Sequence, residues 1–138
     1  MAARGHHVAV SDLIFEMLRH ANARLPGAAA CMDATRLAVA DACLDAVTMV
    51  WLLHLVPNAE PMIAEAARVL RPGGHLVTTV DKAAANGEVR DNPSDARDVV
   101  TRLAVKHRLR PVGETSFVGV GQRGEPVYTL LSFVRLLS

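Results

Sequence analysis

Between Leu44 and Val80 the sequence reads as strand, helix and strand with short connections, and that arrangement leaves few folds open. Leu44 to Trp51 is apolar on both parities apart from Asp45 and Thr48, the pattern of a strand buried on both faces of a parallel sheet. Asn58 is placed to cap the following helix, Glu60 sits in its positive first turn, and Pro61 falls where a missing N–H costs little. Met62, Ile63, Ala66, Ala67 and Leu70 recur at helical spacing as a buried stripe. Arg71-Pro-Gly-Gly74 then stops the helix and turns the chain into a strand over Leu76 to Val80, closing on Asp81. A crossover of this kind implies parallel strands covered by helices.

The flanking segments extend the pattern. His7 to Ser11 is a short β-type run, and Leu13, Ile14, Met17, Leu18 and Ala21 form the stripe of a helix ending near Arg24. Pro26-Gly27 breaks it, and Ala28 to Met32 is a weak strand ending at Asp33. Lys82 to Asp91 is polar and reads as an exposed loop, followed by a helix from about Pro93 to Leu109 with Ala96, Val99, Val100, Leu103 and Ala104 inward. Thr115 to Gly121 and Pro126 to Leu136 are strand-like runs around Gln122-Arg-Gly-Glu125, which reads as a hairpin. The expected fold is α/β: a Rossmann-like, mostly parallel sheet flanked by helices with a C-terminal antiparallel hairpin, in one domain over residues 1–138.

Composition removes several classes of function. Fifteen Lys+Arg against 14 Asp+Glu leave no basic excess, and aromatics are only 4%, so neither the charge nor the stacking platforms of a nucleic-acid binder are present. No uncharged apolar stretch is long enough to span a membrane. Cys31 and Cys43 form no C-x-x-C pair and no disulfide framework, which suits a reducing cytoplasm. His6 and His7 alternate to opposite faces of a strand, and no other spacing suggests a metal.

Asp41-Ala-Cys-Leu-Asp45-Ala-Val, Leu52-Leu-His54-Leu-Val56 and Ala67-Arg-Val-Leu70-Arg-Pro-Gly-Gly74-His-Leu-Val, in that order, closely resemble class I S-adenosylmethionine-dependent methyltransferases of the ubiquinone/menaquinone-biosynthesis type. Gly5-His-His-Val-Ala-Val-Ser-Asp12 is similar to that family's second strand, and Asp33-Ala34 with Leu37 to the segment after its third. Ala2-Ala3-Arg4-Gly5 reads as the tail of a helix with glycine as its αL stop. The resemblance implies a strand, a glycine-rich loop and most of a helix ahead of this point. The only G-x-G-x-x-G spacing in the chain, Gly119 to Gly124, lies in the C-terminal hairpin and not between a strand and a helix, so an N-terminally truncated form of the fold is expected. Loss of a central strand would leave unpaired sheet edges, which favour a homo-oligomer.

The resemblance implies S-adenosylmethionine as cofactor and a small-molecule acceptor. It implies that Asp12, with Leu13 beside it, accepts from the ribose hydroxyls; as plain structure, Asp12 would cap the next helix. It implies Asp33 for the adenine amine with the Ala34 backbone beside the ring; otherwise Asp33 is an ordinary loop acid. Val50 and Trp51 leave their strand where open α/β sheets bind ligands, beside the methionine part of the cofactor in this family; a large core residue is the other reading of Trp51. His54 is either a general base for an acidic acceptor or a packing residue before the next helix. Asp81 faces the same edge, and no residue is singled out as catalytic. The alternative function is a degenerate methyltransferase-like domain acting as a partner subunit. A nicotinamide oxidoreductase fits less well, lacking a glycine fingerprint between a strand and a helix and a Tyr-x-x-x-Lys pair.

Overall fold

The computed structural model describes residues 4–12, 15–24, 29–120 and 124–137. Leu13, the Pro26-Gly27 break and the Gln122-Arg123 part of the hairpin turn lie outside the described residues. Contacts divide the chain into two compact units, the first ending at Ala38 and the second running from Val39.

The first unit holds strand β1 (Val10–Asp12), helix α1 (Phe15–Arg24) and strand β2 (Ala29–Cys31). β1 and β2 pair in parallel, with Asp12 opposite Cys31. Gly5 has φ +83°, as an αL stop requires. Met17, expected on the buried stripe of α1, is exposed.

The second unit contains β3 (Leu44–Met49), a 3₁₀ turn (Leu53–Leu55), α2 (Glu60–Val69), β4 (Leu70–Val80), α3 (Lys82–Ala85), α4 (Arg97–Lys106), β5 (Leu109–Val118) and β6 (Val127–Arg135). Its sheet runs β3-β4-β6-β5; β3 and β4 are parallel, and β6 is antiparallel to both β4 and β5. α2 packs on β4, α4 on β5, and the two helices on each other. The expected stripe of α2 is the core, with Ile63, Val69 and Leu70 at 0% exposure, joined by Leu76, Val100, Ala104 and Phe133. Truncating a side chain as enclosed as Phe133 costs about 3–5 kcal/mol in transfer and cavity terms.

The run from Arg68 to Gly74 owes its composition to a difficult connection. Arg68 bonds Glu65 (2.7 Å), Asp41 (2.6 Å) and the Val39 carbonyl (2.9 Å), fastening the chain ahead of β3 to α2. Those carboxylates hold the Arg68 pKa above its ordinary value. The β3–β4 register jumps from Leu44↔Leu70 to Ala46↔His75, so residues 71–74 bulge. Gly73 supplies φ +84°, and a Cβ on Gly74 would lie 2.9 Å from the Arg71 carbonyl and 3.0 Å from that of Asp45. Arg71 closes the bulge on the Cys43 carbonyl (3.0 Å) and the Asp45 carboxylate (3.1 Å).

Four expectations are corrected. β3 is not buried on both faces: Asp45, Ala46 and Thr48 are exposed, because β3 is an edge strand pairing on one side only, with β4. α4 begins at Arg97, not Pro93, because the backbone around Asp95 is bound to the end of β4. β5 begins at Leu109, its polar and Pro/Gly-containing first half accommodated by a bulge between Pro111 and Gly113. Lys82 to Asp91 opens with the helical turn α3 and is not wholly exposed.

Candidate functional site

In the first unit, Asp12 ends β1 and is half-buried, while Asp33 lies two residues beyond the end of its parallel neighbour β2. Both carboxylates therefore stand at the carboxyl edge of one parallel ladder, the edge where open α/β sheets bind ligands. Asp33 Oδ1 accepts from the Thr35 N–H (2.8 Å) and hydroxyl (2.7 Å), and these bonds hold its pKa below the usual carboxylate range. Asp33 is thus a fixed anion in a turn, with Ala34 beside it and its Oδ1 engaged by Thr35. Two strand-end acids of this kind suit the hydroxyl and amine donors of a nucleoside.

In the second unit, β3 and β4 both leave the sheet through left-handed residues, Trp51 at φ +60° and Asp81 at φ +54°. For a bulky residue that conformation costs about 1–3 kcal/mol and persists only where neighbours enforce it. Here the Trp51 N–H donates to Thr79 Oγ1 (3.0 Å), and the buried Thr78 hydroxyl donates to the Met49 carbonyl (3.0 Å). Val50 is thereby pushed outward and is 47% exposed. The Trp51 ring meets Tyr128 edge-on at 4.5 Å and Phe117 at 5.9 Å. Tyr128 in turn lies against Gly119, whose missing side chain makes room for the ring.

Lys82 begins α3 beside these rings. Its N–H donates to Asp95 Oδ2 (2.9 Å), and its Nζ stands 5.3 Å from the Trp51 ring centre and 3.2 Å from His54 Nε2. An ammonium has donors only, so His54 Nε2 is the accepting nitrogen and the ring proton sits on Nδ1. Burial first, then the Lys82 charge, depresses the His54 pKa below its ordinary value, with Arg90 adding to the effect and Asp95 opposing it. Asp81 is turned to structure: its Oδ1 accepts from the Arg97 N–H (3.1 Å), and its Oδ2 stands 3.7 Å from Arg97 Nε. A cleft of 620 Å³ lined by His54, Lys82, Asn86, Arg90, Asp95 and Tyr128, among others, opens beside this cluster.

Sequence reasoning singled out Asp12, Asp33, Trp51 and His54 and did not single out Lys82 or Tyr128. The Lys82–Trp51–Tyr128 grouping joins α3, the segment just beyond β3 and the start of β6, and no local pattern announces it. No cluster of three or more His, Cys, Asp or Glu suited to a metal occurs among the described residues. No helix there is long and apolar enough to cross a membrane.

A methyltransferase-domain family model matches residues 1–78 of the 138, more than half of the chain. A comparison with curated proteins finds no match. Among solved structures, a SAM-dependent methyltransferase from Methanosarcina mazei superposes with a TM-score of 0.79 at 19% identity, over 99% of this chain and 85% of that one. The N-methyltransferase NodS from Bradyrhizobium japonicum gives 0.71 at 19% identity, over 93% and 72%. The [4+2]-cyclase SpnF gives 0.71 at 15% identity, over 99% and 70%. The likeness is one of fold, and one fold serves more than one reaction.

Proposed function

The chain belongs to the methyltransferase domain family, with the class I α/β fold of S-adenosylmethionine-dependent methyltransferases, and we propose that it transfers a methyl group from S-adenosylmethionine to a small-molecule acceptor. The observation that carries this reading is the placement of Asp12 and Asp33 at the carboxyl edge of parallel strands, inside the residues the family model matches. When bound, the cofactor supplies a methyl group already activated by its sulfonium, so the protein has chiefly to bind, align and exclude water.

Asp12 accepts from the two ribose hydroxyls. Asp33 accepts from the adenine amine through Oδ2, its other oxygen being engaged by Thr35, and the Ala34 backbone lies beside the ring. The two units act as one domain over residues 1–138. Cys31 and Cys43 are exposed and form no disulfide, which suits a reducing cytoplasm.

Calorimetric titration with S-adenosylhomocysteine tests the reading. Micromolar binding is expected for the chain, weakened about tenfold or more in Asp12→Ala, since hydrogen bonds to a charged acceptor contribute ~1.5–3 kcal/mol. A folded chain that does not bind, or a variant that binds equally well, overturns it.

A further inference from the structure

The Lys82 ammonium is partly buried, yet no carboxylate stands within ion-pair distance of it among the described residues. The acids of the same cleft are engaged or turned outward. Asp95 gives Oδ2 to the Lys82 backbone N–H, Glu88 faces Arg90 at 3.8 Å, and Asp91 is exposed. What Lys82 Nζ does meet is a neutral imidazole, His54, and the face of an indole, Trp51. The ammonium is held in place by a hydrogen bond and a ring, which leave it donors to spare. The cleft beside it has the 620 Å³ of a small-molecule site, with Val56, Pro57, Val120 and Tyr128 as apolar lining.

We propose that Lys82 is the anion-holding residue of the acceptor subsite, so that the acceptor is a small, flat molecule bearing a carboxylate or a comparable anionic oxygen. The carboxylate takes the remaining donors of the ammonium, and its ring lies against Tyr128 and the apolar lining. His54 is a positioning residue: its Nε2 accepts from Lys82 and fixes the direction of the other N–H groups, which leaves that nitrogen engaged and unsuited to a proton-abstracting role. The depressed His54 pKa keeps this arrangement in place somewhat below neutrality. The word acceptor rests on the methyltransferase reading; the anion subsite does not.

Trp51 is the single tryptophan of the chain, so its fluorescence reports this cleft directly. The intact chain is titrated with benzoate and with the neutral isostere benzamide, each followed by Trp51 emission, with S-adenosylhomocysteine titrated in parallel. Saturable quenching by benzoate is expected, about tenfold weaker for benzamide and about tenfold weaker in Lys82→Met. Lys82→Arg should retain most of the affinity, and His54→Gln should weaken benzoate binding several-fold without removing it. Circular dichroism verifies that each variant is folded. Equal binding of benzoate and benzamide, unchanged benzoate affinity in folded Lys82→Met, or no benzoate binding at all overturns the subsite. Benzoate discrimination without binding of S-adenosylhomocysteine upholds the subsite and rejects the methyl-transfer reading; the converse pair of results does the reverse.

Discussion

A glycine decides where the largest rings of the second unit can lie. A Cβ built on Gly119 would fall 2.3 Å from Tyr128 Cε2 and 2.7 Å from Cδ2, both atoms of a ring wedged between Trp51 and Phe117. Gly119→Ala must therefore push Tyr128 off Trp51, loosening its bond to Asn86 Oδ1 (3.1 Å) as well. Overpacking of this kind costs about 1–3 kcal/mol. A lowered thermal midpoint with a shifted Trp51 emission maximum is the expected result; an unchanged melt would mean that the ring has room elsewhere. Such fits are invisible in a sequence, where Gly119 reads as one more hairpin glycine. Asp12 and Asp33 were legible because an acid just after a strand is a local signal. Lys82 was not, since the residues that give it meaning lie 28 positions away at His54 and further still at Tyr128.

At the scale of elements, the 3₁₀ turn carrying His54 and the helical turn carrying Lys82 are coupled through one hydrogen bond, and pH acts on that coupling. Unfolded, His54 titrates near about 6.5; folded, burial and the Lys82 charge, with Arg90, hold its pKa lower against the pull of Asp95. Between the two values the unfolded chain binds a proton that the native state refuses, so stability rises with pH across that window. The contribution is fully present above about pH 6.5 and declines as pH falls toward the folded value. His54→Gln should narrow the difference between melting midpoints at about pH 7.5 and about pH 5.5; an unaltered difference would show that His54 does not set that dependence. Element boundaries show the same division between local and distant causes. The α2 stripe was readable; the N-cap is Ala59, without a side-chain cap bond, while Asn58 one residue earlier accepts at Oδ1 from the Glu60 N–H (3.0 Å). The late start of α4 was not, because it depends on Asp95 reaching back to the end of β4.

For the molecule as a whole, order of elements and strand direction followed from alternating apolar periods, while the neighbours of each strand did not. Leu44 to Met49 is apolar enough for a central strand, and apolar parity alone does not distinguish that from an edge. In the second unit's sheet, β3 and β5 are the two edges. β5 is blunted by Pro111, which donates no hydrogen bond, and by the bulge that follows it. β3 carries no proline and pairs on one side only, with Ala46 and Thr48 exposed along it. The one charge on β3, Asp45, is drawn to Arg71 at 3.1 Å, and the rest of such an edge is a template for another strand. The chain is therefore expected to self-associate through β3, giving a sedimentation coefficient that rises with concentration. Thr48→Lys places a charge on that edge without disturbing the buried Met49 beside it, and should return the species toward monomer with little change in melting temperature. Monomer at every concentration would show that the β3 edge does not recruit a second copy, whereas association unaffected by Thr48→Lys would move the contact to another surface.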